Sequence, residues 1–366
     1  MRILLIIPDR YSYGGAVRFL ERLLGLHVRY GIETAMLLPE VHGDNPLESL
    51  ATKLGVKVLA EKSRTRGNTA PFLTPFFDLL FSWRAVRSWP PDLLVVSTSD
   101  PGRMSVALYF PIPLLYILHS VPETPFGKLP RFYLRIGSLL NNRIMTVSKA
   151  AAETISITMG IPPDKISVVY NSCRSIQHKP KADSPVVLTA GHFVSYKNPH
   201  GWLEVAQSVI QQRPDTIFVW LGDGELLAPM REMVKTLGLE DRILLPGFVT
   251  DPYTWYEKSQ VYFQPSFRES HGIAVLEAMS HGIPCVVADT GGLPESVINN
   301  ETGFVCSPGD VTCFADSILA LLGDPELHGR MGLAGRLRTK EYFSEPEQEQ
   351  KIVALYDHLL KKTEMR

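Results

Sequence analysis

The sequence is poor in cysteine. It has four in 366 residues, Cys173, Cys285, Cys306 and Cys313, and no C-x-x-C pair. Their spacing matches neither a zinc site nor a disulfide framework, so four reduced thiols in a cytosolic protein are the expectation. Long apolar runs are also missing. A membrane-spanning helix needs roughly 18 apolar residues. The longest run here, ALYFPIPLLYIL at 107–118, is short and broken by two prolines. The apolar start MRILLII is ended by Pro8 and Asp9, too soon for a signal peptide. D-x-D is absent, so no carboxylate pair for a metal–diphosphate is signalled. H-E-x-x-H, G-x-S-x-G and G-x-x-x-x-G-K-[ST] are absent too.

What is present points to a soluble globular chain, with 45% hydrophobic and 20% charged residues. Its length exceeds what one compact core holds, so two domains are expected. The net charge of −1 is unevenly spread. Residues 1–165 hold 19 Lys and Arg against 13 Asp and Glu, and residues 166–366 hold 18 against 25. Either the front half meets something anionic, a phospholipid surface or a phosphate-bearing substrate, or the imbalance is chance.

Short apolar runs recur between amphipathic segments. RILLII (2–7), ETAMLL (33–38), DLLVVSTS (92–99), LLYILHS (114–120), RIMTVS (143–148) and ISVVYN (166–171) read as buried parallel strands. GGAVRFLERLLGLHVRYG (14–31) reads as a helix between the first two. The pattern breaks at NSCRSIQHKPKADSP (171–185), a polar stretch expected to link two domains. A second series follows: VVLTAGH (186–192), TIFVWLG (216–222), RILLPGF (242–248), VYFQPS (261–266) and PCVVADT (284–290). The expected architecture is α/β, with two Rossmann-like domains facing across a cleft at the carboxyl ends of their strands. Domain boundaries are expected at 1–170 and 186–346. The apolar stripe of the last helix, at 352–360, marks 347–366 as returning to the first domain.

The most informative stretch is SFRESHGIAVLEAMSHGIP (266–284), where Glu269 and Glu277 stand eight positions apart. Ile273, Ala274, Val275, Leu276, Ala278 and Met279 spread around the whole helical wheel, which predicts a buried helix carrying Glu277 inward. An unpaired buried carboxylate costs several kcal/mol, roughly, so Glu277 needs donors. Either an internal partner or the adjacent hydroxyls of a sugar supply them. Glu269 lies in the loop before that helix, and the amides around His271, Gly272 and Ile273 open it. Gly291 and Gly292 follow the next strand, either as an ordinary strand-to-helix turn or as a place where a backbone approaches a ligand closely. Lys197, in GHFVSYKN (191–198), is either a surface lysine or a cation that meets phosphate oxygens. In the front half, RYSYGGAV (10–17) is a glycine-pair loop but not G-x-G-x-x-G, and His119 ends a strand.

Together these residues resemble the retaining glycosyltransferase family 4, with its two-domain GT-B fold. The family's E-x(7)-E motif matches as ESHGIAVLE, inside PSFRES and GIAVLEAM followed by GIPCVVADTGGLPE. GHFVSYKN, GDG, PGFV, TGFVCSPGD, GGAVRFLERL and MTVSKAAAETI match more loosely. The resemblance implies transfer of a sugar from a nucleotide-diphosphate sugar with retained anomeric configuration and without a metal or other cofactor. It implies that Glu269 holds the donor sugar's hydroxyls and Glu277 the ribose diol. Lys197 offsets diphosphate charge, with backbone help near Gly272, Gly291 and Gly292. It puts Gly15 at the donor phosphates, His119 near the donor sugar, and the base near Phe248 and Val249. His192 stands where the family often has Arg, Asn198 where Gly often follows the Lys, and NSCR (171–174) where Asn-Gly-x-Asp is usual.

Two other readings compete: a sugar-nucleotide epimerase-type enzyme, and a catalytically altered nucleotide-sugar-binding protein. The expected acceptor is a saccharide or a lipid-linked sugar in polysaccharide, lipopolysaccharide or glycolipid synthesis; no nucleic-acid partner is expected. RTRGNTAPFLTPFFDLLFSWRAVRSW (64–89) combines Arg64, Arg66, Arg84 and Arg87 with aromatics. This composition is that of a segment resting on an anionic membrane, or of a helix packed in the first domain. The expected location is cytoplasmic, with peripheral membrane contact.

Overall fold

The computed structural model describes residues 1–8, 14–39, 46–61, 82–98, 111–120, 142–174, 176 and 185–364. The chain forms two compact units, Met1–Tyr170 with Gln348–Arg366, and Asn171–Glu347.

The first unit is built on a seven-stranded parallel sheet. Its strands are β1 (Arg2–Ile6), β2 (Glu33–Pro39), β3 (Lys57–Glu61), β4 (Leu93–Thr98), β5 (Leu114–Leu118), β6 (Asn142–Thr146) and β7 (Ile166–Val168). Their order is β3-β2-β1-β4-β5-β6-β7. Every residue of β4 and β5 is buried, as continuous apolar runs require of central parallel strands. The helix Gly15–Arg29 lays Phe19, Leu20, Leu23 and Leu24 on the sheet. The helix Glu345–Glu364 adds Ile352, Tyr356 and Leu359 to the same core.

That last helix is also held by polar contacts. His27 is fully buried, with Nδ1 hydrogen-bonded to Thr34 Oγ1 and Nε2 to the Tyr356 hydroxyl, both at 2.9 Å. Arg29 pairs with Glu349, and Gln348 donates to the Tyr170 carbonyl at 2.7 Å.

The second unit has six parallel strands: β8 (Val186–Ala190), β9 (Ile217–Leu221), β10 (Ile243–Gly247), β11 (Val261–Gln264), β12 (Cys285–Ala288) and β13 (Gly303–Cys306). Their order is β10-β9-β8-β11-β12-β13. Trp202, Phe218 and Trp220 fill the core under one face, with ring centroids 5.3–5.6 Å apart. In both sheets the order of strands reverses once, at β1/β4 and at β8/β11. Such switch points are where open α/β sheets bind ligands. Asn171, Ser172 and Cys173, which open the stretch expected to be linker, are buried in this unit. Cys173 N donates to Phe343 O at 2.9 Å.

Two expectations change. Cys306, at the end of β13, is bonded to Cys313 in the first turn of the helix Val311–Gly323. Cys173 and Cys285, both buried, form no disulfide. The reading of four reduced thiols is therefore wrong, and cysteine usage no longer argues for a reducing compartment. A lone seven-residue spacing carries no disulfide signature, because strand end and helix start meet only in the fold. Strands β3 and β13 were also missed. Both are edge strands, short or charged, and lack the long apolar run of a central strand.

Burial pushes the His27 imidazole from the ordinary 6.5 down to about 4. The neutral ring is the one that fits, so its stabilising contribution is intact above 6.5 and is lost as pH falls from 6.5 towards 4. Thermal melts followed by circular dichroism should lose on the order of 3 kcal/mol from this residue between about pH 7 and pH 4. A melting profile that is flat across this window in the wild type would contradict a neutral, buried His27.

Candidate functional site

The β8/β11 switch point brings two loops side by side. The loop after β8 contains a short 3-10 turn, Ser195–Lys197, and the loop after β11 carries Glu269. Lys197 and Glu269 are 72 positions apart in sequence and form an ion pair, with side chains only 12% and 15% exposed. The loops are stitched together by the main chain, Phe267 N to Tyr196 O at 2.8 Å. Asn198 adds a side-chain bond from Nδ2 to Pro265 O at 3.3 Å. Asn198 sits at φ 58°, ψ 54°, a left-handed position that Gly and Asn tolerate best. Its Oδ1 also accepts from Gly201 N and so caps the helix Pro199–Gln212. Asn198 thus takes the left-handed turn and adds two side-chain hydrogen bonds.

The loop after β12 holds Glu269 from the other side. Thr290 Oγ1 donates to Phe267 O at 2.9 Å, and Gly292 N donates to Glu269 O at 3.2 Å. Gly291 has φ 52°, and a Cβ there would lie 1.8 Å from the Glu269 carbonyl oxygen. The glycine pair therefore seats the Glu269 main chain, and the Gly292 amide is spent on that rather than on a ligand. Gly272 has φ 84° and opens the helix Ile273–Ser280; a Cβ there would strike Leu293 at 2.8 Å.

Glu277 is buried on that helix, 9% exposed, with Val275, Leu276, Ala278 and Met279 buried around it. Its Oε2 accepts the Tyr256 hydroxyl at 3.1 Å. An internal partner therefore exists, which the sequence left open. Sequence reasoning missed Tyr256, and no spacing or motif marks it.

The remaining candidates lie as follows. His192 is exposed on the loop after β8, and Phe248 (48% exposed) and Val249 follow β10. His271 turns its side chain inward, 1% exposed, against Ser296 Oγ at 3.3 Å and the Phe343 ring at 5.4 Å. Burial lowers its pKa to about 3, so the ring is neutral and only its main chain can face a ligand. Ile273 is the first residue of its helix. In the first unit, Gly15 begins the helix Gly15–Arg29 behind Gly14, and is exposed. His119 follows β5; its Nε2 bonds Ser97 Oγ at 2.8 Å and its ring meets Phe19 edge-on at 5.0 Å.

Two family models match the chain in succession. The model for Glycosyltransferase Family 4 covers residues 13–173, and that for Glycosyl transferases group 1 covers residues 174–338. The chain belongs to this glycosyltransferase family, and its architecture is the GT-B fold. It is similar to an N-acetyl-alpha-D-glucosaminyl L-malate synthase of Bacillus anthracis, 36% identical over 39% of this chain and 36% of that protein. A UDP-Gal:alpha-D-GlcNAc-diphosphoundecaprenol alpha-1,3-galactosyltransferase of Escherichia coli is 30% identical over 46% of this chain and 48% of its own. The matches span 36% to 62% of the lengths of the first curated relatives. In fold, the chain resembles Anabaena HepE in complex with UDP and glucose, with TM-score 0.79 and 19% identity over 96% and 99% of the two chains.

Gly291→Ala should displace the Glu269 carbonyl and strain the turn, costing about 2 kcal/mol or more in urea unfolding. A variant as stable as the wild type would contradict the close approach.

Proposed function

We propose that this chain is a retaining glycosyltransferase, moving a sugar from a nucleotide-diphosphate sugar to a saccharide or lipid-linked acceptor. The observation that carries this reading is the placement of three charged groups at one switch point. Lys197 and Glu269 pair on the two loops, and Glu277 is buried on the helix that the second loop enters.

In the proposed site Glu277 accepts the two ribose hydroxyls, and exposed Phe248 with Val249 receives the base. The Lys197 ammonium takes the charge that develops on the diphosphate as the glycosidic bond breaks. Before a donor arrives, Glu269 holds Lys197 in place and is itself compensated. When the ammonium turns to phosphate, the Glu269 carboxylate accepts the hydroxyls of the transferred sugar and fixes it beside the reacting carbon. Lys197 supplies the charge that a metal provides elsewhere, so the reaction is proposed to run without one. Gly15 and His119 keep, as part of this proposal, the donor-side roles that the resemblance gives them.

For the acceptor, the helical segment 82–88 presents Trp83, Arg84 and Arg87 to solvent, with the Arg87 guanidinium 4.5 Å over the Trp83 ring. We propose peripheral contact with anionic lipid here; residues 64–81 of the basic aromatic stretch lie outside the described residues. No helix among the described residues is long and apolar enough to cross a membrane.

Two measurements test these assignments. Glu277→Gln should weaken nucleoside diphosphate binding about tenfold or more while kcat changes little. Glu269→Gln should keep nucleotide binding and lower kcat by roughly 100-fold or more, read as nucleotide release from UDP-, GDP- and ADP-sugars. Wild-type behaviour of both variants would sink the assignment. For the membrane contact, replacing Arg64, Arg66, Arg84 and Arg87 with Gln should abolish co-sedimentation with anionic liposomes, and unchanged binding would refute it.

A further inference from the structure

Tyr256 has no part in the reading above, yet its hydroxyl donates to the Glu277 carboxylate at 3.1 Å. It comes from the helix Tyr253–Lys258, which precedes β11, and it is fully buried. A phenol has one hydrogen to give. Two acceptors lie in reach, Glu277 Oε2 at 3.1 Å and the Ala274 carbonyl at 3.3 Å. The carboxylate is both nearer and charged, and charge-assisted bonds are the stronger kind. Burial, and the Glu277 charge after it, push the Tyr256 pKa well above its ordinary value, so the hydroxyl stays protonated and donates.

The ring is fixed as firmly as the hydroxyl. It stacks on His281 with centroids 5.1 Å apart and planes 23° apart, and Tyr262 lies on it at 6.2 Å. His281 in turn places its Nδ1 2.7 Å from the Glu277 carbonyl oxygen. A carbonyl only accepts, so Nδ1 carries the hydrogen and the tautomer is set. The stacked pair therefore grips Glu277 at both ends, Tyr256 at the carboxylate and His281 at the main chain. Each carboxylate oxygen has two lone pairs, so the Tyr256 donor and a ligand hydroxyl can share one carboxylate.

We infer that Tyr256 is a positioning residue: its hydroxyl holds the Glu277 carboxylate in the orientation that receives a ribose diol, and so sets discrimination between ribonucleotides and their dideoxy counterparts. This rests on the ribose reading of Glu277 and adds a residue that the resemblance does not supply. A packing role alone would affect all ligands alike. A positioning role acts only on ligands that carry the hydroxyls.

The test uses calorimetric titration of the full chain with UDP, GDP and ADP, and then with the 2′,3′-dideoxy form of whichever binds best. Tyr256→Phe keeps the ring and removes the donor. It should raise the ribonucleotide Kd about tenfold, the worth of a bond to a charged group. The dideoxynucleotide Kd should stay put, so the ratio collapses. In turnover, KM for the donor should rise while kcat is largely kept. Should Tyr256→Phe not fold, 3-fluorotyrosine at position 256 keeps size and hydroxyl and makes the donor more acidic; the ratio should then rise, and an unchanged ratio would overturn the inference. If the wild type discriminates, Glu277→Gln does not, and Tyr256→Phe still does, the ribose reading stands and the role of Tyr256 is refuted. If the wild type itself does not discriminate, the ribose reading falls and the inference with it.

Discussion

The pairing of β8 with β11 decides what the second unit can hold. These strands are adjacent and parallel, yet 70 or so residues apart in sequence, so the loops at their carboxyl ends leave in register. That adjacency places Lys197 against Glu269, and the main-chain bond that Phe267 N donates to Tyr196 O keeps it there. The loop after β12 closes the arrangement, because a side chain at position 291 would occupy the place of the Glu269 carbonyl. Charge is thus presented from backbone that is fixed on both flanks, which is the condition for electrostatic stabilisation without reorganisation.

Much of this was legible in the sequence. Central strands in a doubly wound sheet are buried on both faces, and their apolar runs mark them. The apolar surround of Glu277 foretold its burial. The edge strands β3 and β13 were not legible, since one face of the periodic signal is diluted by charge or cut to four residues. Nor was the Tyr256 donor, which lies 21 positions from Glu277 on another helix and meets it only through tertiary packing. Gly291 and Gly292 have a use in the fold that no motif shows. Their freedom is used to admit a carbonyl from the neighbouring loop, and one amide is consumed there. The Cys306–Cys313 bond likewise depends on where a strand ends and a helix begins.

The two carboxylates of the E-x(7)-E motif now have separate physical settings. Glu269 sits on a loop, mostly buried and neutralised by the Lys197 ammonium. Glu277 sits on a buried helix, held by a neutral hydroxyl that cannot leave. One environment suits a group whose partner changes during a reaction, and the other suits a fixed recognition element. His271 shows the same economy. It lies in the same loop, but its neutral ring is spent on packing against Ser296 and Phe343.

In the proposed site the second unit holds a nucleoside diphosphate with its ribose on Glu277. A crystal structure of the chain with whichever of UDP, GDP or ADP gives the largest thermal shift tests it directly. Ribose hydroxyls should lie within hydrogen-bond distance of the Glu277 carboxylate, with the diphosphate on Lys197. A nucleotide bound with its ribose elsewhere, and Glu277 still engaged only by protein groups, would contradict it.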